Sequence, residues 1–343
     1  MNEAVAYNAL NIINQSDYRA LLKLKTQFGN WTTALKNAGA YEKKSDPEKE
    51  WQKLLDLGVR LILREEPDYP ALLNEIPHPP FGVYILGNLP KENNLIFAIV
   101  GTRKATLEGK ELARKFSSEL AQCGFKIVSG LALGIDAAAH EGCLTAGGKT
   151  VAVLANGLDR FYPATNEKLA KKILSQNGAI VSEYHLGAEP LPFRFLERNR
   201  IISGLSRGVL IIEAPRESGS LVTANFALDQ NRDVFVVPGP VSHPNFAGSH
   251  QLIRKGAELI VNTEEILEAF GLSGASPLIK TETFNIPEEK TVFDTLKKLY
   301  RPSSVDKIVE MTNLKTSLVN QALSFLLIKN LIKETNDGYT INK

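Results

Sequence analysis

Through the middle of the chain, apolar runs of about four or five residues alternate with stretches of helical periodicity, and polar loops carrying glycine separate the two. The runs predict strands over 96–100, 126–129, 150–154, 179–182, 209–213, 234–237 and 258–261. Most are continuous rather than alternating, as expected for parallel strands covered on both faces. Between them lie helical patterns such as 107–123, where Leu112, Phe116 and Leu120 share one face. Strands alternating with helices predict an α/β core over 95–270 built on a doubly wound, mostly parallel sheet.

The flanks are patterned differently. Residues 1–60 read as helical, with Leu10, Ile13, Tyr18, Leu21, Leu22 and Leu24 spaced for an amphipathic hairpin, then Trp31, Leu35, Trp51, Leu54 and Leu55, with Gly29 and Gly39 as breaks. Residues 61–94 read as an extended, proline-punctuated connector after a short strand at 59–63. A linker is expected over 271–289. Over 290–343 the pattern predicts three helices and a hairpin turning at Asn336-Asp337-Gly338, the outline of a winged helix.

Composition changes this picture little. The chain has 343 residues, 43% hydrophobic and 23% charged, with a formal net charge of +2. No global basic field advertises nucleic acid, although a local groove can be basic in a near-neutral protein. Met1 to Gln15 lacks the basic and apolar segments of a signal peptide, and no apolar run is long enough for a bilayer. Cys123 and Cys143 fit neither a disulfide scaffold nor a metal site. The expectations are a cytosolic protein with no membrane, metal or cofactor requirement.

The loops carry the chemistry. Gly101-Thr102-Arg103 follows the first core strand, where an arginine beside a helix start suits a phosphate or, alternatively, a surface salt bridge. Ser129-Gly130 follows the second strand, and the loop runs on through Gly134 to Asp136 and His140, which stand four residues apart on a helix start. That pair is open to acid–base chemistry, but with no nucleophile or metal motif at matching spacing a structural bond holding the loop is the favoured reading. Arg198-Asn199-Arg200, flanked by Phe195 and Ile201, offers either polar reach beside aromatics or ordinary helix-surface charge. Ser218-Gly219-Ser220 either caps a helix or binds an anion. No dinucleotide G-x-G-x-x-G, Walker A loop, H-E-x-x-H or G-x-S-x-G elbow is present.

Together these blocks resemble the DNA-processing protein A (DprA/Smf) family. The likeness runs through Val100-Gly101-Thr102-Arg103, Ser129-Gly130 to His140, Ala155-Asn156-Gly157-Leu158-Asp159 with Tyr162-Pro163, Ser182-Glu183-Tyr184, Arg198-Asn199-Arg200-Ile201-Ile202, Ser218-Gly219-Ser220-Leu221-Val222-Thr223-Ala224 and Val237-Pro238-Gly239. Thr102 stands where serine is usual, and Leu196 where a proline commonly precedes the arginine block. The resemblance implies an extended Rossmann-like fold, a sterile-alpha-motif-like start and a winged-helix end. It implies a homodimer that is not an enzyme, binds single-stranded DNA cooperatively without sequence preference and loads the RecA recombinase during natural transformation. It places Gly101, Thr102, Arg103, Ser129, Gly130, Arg198, Asn199, Arg200, Ser218, Gly219 and Ser220 on the DNA, with Lys149 as a pocket lysine. Two competing readings are a phosphoribohydrolase-like nucleotide enzyme, whose Pro-Gly-Gly-x-Gly-Thr loop is replaced here by Ser218-Gly219-Ser220, and a duplex-DNA regulator acting through the C-terminal helices.

Overall fold

The apolar runs pair as one sheet. A computed structural model describes residues 2–37, 46–90, 95–272, 284, 286–299, 302–329, 331–335 and 337–341. Among these, the elements of the larger unit, which lies within residues 1–279, are α1 (Glu3–Ile13), α2 (Tyr18–Phe28), α3 (Trp31–Asn37), α4 (Pro47–Asp56), β1 (Val59–Leu63), α5 (Ala71–Asn74), β2 (Gly82–Gly87), β3 (Ile96–Val100), α6 (Leu107–Gln122), β4 (Lys126–Ser129) and α7 (Ile135–Thr145). They continue with β5 (Thr150–Val153), α8 (Glu167–Ser175), β6 (Ala179–Ser182), α9 (Pro192–Gly204), β7 (Gly208–Ile211), α10 (Gly219–Asp229), β8 (Asp233–Val236), α11 (Ala247–Arg254), β9 (Glu258–Leu259) and α12 (Thr263–Ala269).

The strand order is β1-β2-β6-β5-β4-β3-β7-β8-β9. From β3 the chain winds outward through β4, β5 and β6, then returns across β3 to begin β7. All pairs from β6 to β9 are parallel. The winding therefore reverses between β3 and β7, and ligands of open α/β sheets bind outside the carboxyl ends of the strands at such a point. Apolar side chains cover both faces, as the continuous runs predict: Ala98, Val128 and Val209 pack on one side, and Phe97, Ile127 and Phe235 on the other.

Two features depart from the expected organisation. The 61–94 connector contains β2, which pairs antiparallel with β1 and with β6 and so extends the sheet. Val83, Tyr84 and Ile85 are buried, and hydrogen bonding to neighbouring strands satisfies the backbone that their burial would otherwise strand. The helices of the first sixty residues, expected as a domain of their own, share a hydrophobic cluster with the sheet. Tyr7, Leu10, Trp31 and Leu54 lie with Leu61, Tyr84 and Ile180. Gly39, residues 91–94, most of the 271–289 linker and Asn336 lie outside the described residues.

The smaller unit lies within residues 280–343 and contains α13 (Pro287–Leu299), α14 (Val305–Thr312), α15 (Thr316–Ile328) and the antiparallel pair β10 (Ile332–Thr335) and β11 (Gly338–Ile341). Val292, Phe293, Leu296, Ile308, Leu323 and Leu326 form its core. Ser304 caps α14, and left-handed Asn313 ends it. Among the described residues no helix is long and apolar enough to cross a membrane.

Candidate nucleic-acid interface

The loops leaving β3, β4, β5 and β7 gather at the carboxyl edge of the parallel strands. A cavity of about 520 Å³ opens there, lined by Gly101, Thr102, Arg103, Lys104, Asp136, Tyr162, Phe195, Arg198, Asn199, Ser218, Gly219 and Ser220 among others. The β3 loop is held from below by Glu213 at the end of β7. Its fully buried carboxylate accepts from the Thr106 amide (3.1 Å), from the Thr106 hydroxyl and from Asn245 Nδ2 (2.7 Å). The Thr102 amide donates to the Glu213 carbonyl at 2.8 Å. Thr106 in turn caps α6. Gly134 completes the junction: its φ is +81°, and a Cβ there would stand 2.3 Å from the Thr102 carbonyl oxygen.

Arg103 projects from this fixed loop, and the center of its guanidinium lies 5.0 Å from the centroid of the Phe195 ring. The Phe195 and Tyr162 rings are 5.5 Å apart, so a cation and two aromatic faces share one mouth. No ion pair with a described residue engages Arg103. Across the cavity, Ser218 caps α10, and its hydroxyl lies 2.7 Å from that of Ser220. The Ser218 cap engages two first-turn amides of α10, its hydroxyl accepting from Ser220 at 3.3 Å and its carbonyl from Leu221 at 3.0 Å, so what the helix start presents to the cavity is chiefly the positive end of its dipole.

Arg198 forms the floor. It is buried and donates through Nη1 to the carbonyls of Gly130 (2.9 Å) and Val153. Burial draws it down to about 10, while nearby Asp136 holds it up. Asp136 accepts from the Gly130 and Ala132 amides at 3.1 and 3.4 Å. Burial lifts its carboxyl above the ordinary value, against the pull of Arg198. A Cβ on Gly130 would fall 2.7 Å from Asp136 Oδ2 and 2.8 Å from Arg198 Nη2, so any side chain there would displace one or both groups.

Of the twelve residues that the resemblance places on DNA, eight converge on this cavity and four do not line it. Ser129 and Gly130 lie behind it: the Ser129 hydroxyl donates to the Ile99 carbonyl, and Gly130 backs Arg198. Arg200 is turned away into a buried ion pair with Glu183 and stands 6.0 Å from the Tyr18 ring. The reason is helical geometry, since residues two apart on α9 lie on opposite sides. Lys149 is exposed just before β5, at the amino edge of the sheet, with its carbonyl accepting from Ile127. Lys104 was missed in the sequence, and Tyr162 and Phe195 were noted only as neighbours or as part of a motif. The i,i+3 spacing of Phe195 and Arg198 was the available signal that they share a helix face.

Asp136 and His140 do not form a pair with each other. Asp136 holds the loop, whereas His140 Nδ1 lies 2.7 Å from the Thr150 hydroxyl. Burial pushes the imidazole down to about 3, with the Arg198 charge adding to the effect. This native value lies below the ordinary 6.5, so the stability gained by keeping His140 neutral is complete above about pH 6.5 and is lost as pH falls toward 3. A His140→Gln variant is expected to lose that part of the acid sensitivity while keeping ligand binding within a few-fold. Urea midpoints measured across this pH range check it, and an unchanged acid limb in the variant would count against it.

Known proteins share much of this sequence and its core fold. The family model described as DNA recombination-mediator protein A matches residues 60–271. Protein Smf of Synechocystis sp. is 39% identical over 311 residues, spanning 80% of this chain and 78% of its own length. DNA processing protein DprA of Streptococcus pneumoniae is 42% identical over 202 residues, spanning 59% and 71%. The X-ray structure of the Streptococcus pneumoniae protein superposes with a TM-score of 0.62 at 37% identity, covering 70% of this chain and 82% of that one. DNA processing protein A of Helicobacter pylori, solved to explain its single-stranded DNA binding mode, superposes with a TM-score of 0.56 at 33% identity, covering 62% and 95%.

Proposed function

The chain belongs to the DNA recombination-mediator protein A family, and from that premise we propose that it binds single-stranded DNA without sequence preference. The observation that carries the reading is the cavity at the β3/β7 switch point. There Arg103, which makes no ion pair with a described residue, the N-terminus of α10 and the Tyr162–Phe195 faces converge. Backbone phosphates suit the guanidinium and the helix terminus, and stacked bases suit the rings, because every base has a π-face. None of these groups reads a base edge in a way that would discriminate sequence.

In this reading the protein is a mediator rather than an enzyme. It protects single strands and loads the RecA recombinase during natural transformation and homologous recombination. Asp136 is engaged by loop amides and His140 by Thr150, which leaves no nucleophile–base couple facing the cavity among the described residues. A second copy of the chain is the proposed cover for the free β9 edge, where Leu259 and Val261 are exposed, giving a homodimer. The C-terminal unit is read as a winged helix in an auxiliary role. The exposed face of α15 carries Thr316, Ser317, Asn320, Gln321 and Ser324, with lysines only at 315 and 329, which is thin for a duplex groove.

The test is a titration of labelled single strand against duplex of the same sequence at two salt concentrations. Single strands should bind more tightly, with affinity falling as salt rises by a slope of about 0.7 for each phosphate neutralised. Equal affinity for duplex, or indifference to salt, would sink the proposal.

A further inference from the structure

A second depression, of about 340 Å³, lies between α10 and α11 and carries two cations that the first cavity does not use. It is lined by Arg216, Glu217, Ser218, Asn225, Gln251 and Lys255 among others. Glu217 and Ser218 line both cavities, so the two meet across a rim only two residues wide. The walls are brought together by a close backbone contact: the Gly248 amide at the start of α11 donates to the Ala214 carbonyl at 2.9 Å.

Arg216 and Lys255 are exposed, and neither makes an ion pair with a described residue. The Asn225 and Gln251 amides add neutral donors between them. One carboxylate, Glu217, stands on the rim and is also exposed. Two unpaired cations with amide donors in a concave site select an anion, and a guanidinium favours phosphate. The shared rim puts this anion site next to the cavity in which Arg103 and the α10 N-terminus would hold the first phosphate.

We infer that the depression is a second backbone-phosphate subsite, and that a single strand leaving the first cavity crosses the Glu217–Ser218 rim to reach Arg216 and Lys255. This rests on the single-strand reading above. A nucleic acid strand repeats its charge at every nucleotide, so a strand long enough to span the rim engages both subsites and a shorter one fills only the first. The rim carboxylate separates the two stretches of contact and disfavours an anion lodged at the crossing itself.

The experiment compares the full chain with an Arg216→Ala/Lys255→Ala variant on a ladder of thymidine oligonucleotides of about 4 to 16 nucleotides, the range of common single-strand sites. The shortest bound oligonucleotides should bind both proteins equally. The longest should bind the variant about tenfold more weakly, with a salt slope smaller by about 1.4, twice the single-strand value for one phosphate. Melting temperatures should coincide, because both side chains are exposed. Equal loss at every length, or no loss at any length, overturns the second subsite. Arg103→Ala separates the two readings. If it weakens all lengths while the double variant weakens none, only the second subsite fails. If the unaltered protein binds no oligonucleotide, the single-strand reading fails and takes the subsite with it.

Discussion

Arg103→Ala should weaken single-strand binding by about ten- to a hundredfold and leave the melting temperature close to that of the unaltered protein. A hydrogen bond to a charged group contributes about 1.5–3 kcal/mol, and about 1.4 kcal/mol is tenfold in affinity. Arg103 has no ion pair with a described residue to lose, and its stacking on Phe195 is worth little at an exposed site. The loop that carries it is held by hydrogen bonds among Glu213, Thr106 and Asn245 that do not involve the guanidinium. Removing the side chain therefore deletes a contact without loosening the frame. The salt slope should fall by about 0.7, the single-strand value for one phosphate. Binding by native gel or fluorescence anisotropy, with thermal melting of the same samples, checks it. Normal binding, or a loss that tracks a lower melting temperature, would show that Arg103 is part of the fold rather than of the interface.

The core was legible because its strands obey a one-dimensional rule. A parallel strand buried on both faces is a continuous apolar run, and the runs at 96–100, 126–129 and 179–182 appear at those bounds. β2 is also a continuous, largely buried apolar run although it pairs antiparallel on both sides, but the prolines at 77, 79 and 80 before it read as punctuation of a connector. Proline constrains only itself and the residue before it, and the apolar run that follows was free to pair. The candidate site was legible wherever position followed from strand order. Gly101 to Arg103 and Ser218 to Ser220 follow strands that end at the switch point, so both had to arrive at its mouth. Lys149 precedes its strand, and the same geometry sends it to the other edge. What the sequence could not settle was the facing of charge on α9. Arg198 and Arg200 differ by two positions, and which of them turns toward the loops depends on what Glu183 and Asp136 offer from other elements.

That difference sets the largest expected effect on stability, at Arg200. Its Nη2 pairs with Glu183 Oε2 between α9 and the end of β6, where the two side chains are only 10% and 11% exposed. Removing one partner of such a pair leaves an uncompensated charge, and Arg200→Ala should lower stability by about 3–5 kcal/mol at neutral pH. The pH dependence identifies the cause. Burial already lifts the Glu183 carboxyl above its ordinary 4.5, and Arg200 is the main group opposing that lift. Without Arg200 the carboxyl rises further, so ionising it penalises the folded state more. A group with a raised native pKa supports the fold below its unfolded value and ceases to do so as pH rises through the native one. The deficit of the variant should therefore be widest at neutral and alkaline pH and should narrow on acidification toward about 4.5. Urea midpoints of the two proteins across that range test it. A Glu183→Gln/Arg200→Met double variant should recover most of the loss, because replacing both ions removes the stranded charge. Single-strand binding by the folded fraction of Arg200→Ala should stay within a few-fold of normal, since Arg200 does not line the cavity. A pH-independent deficit would separate the loss from Glu183, and a binding defect in fully folded Arg200→Ala would return this arginine to the interface.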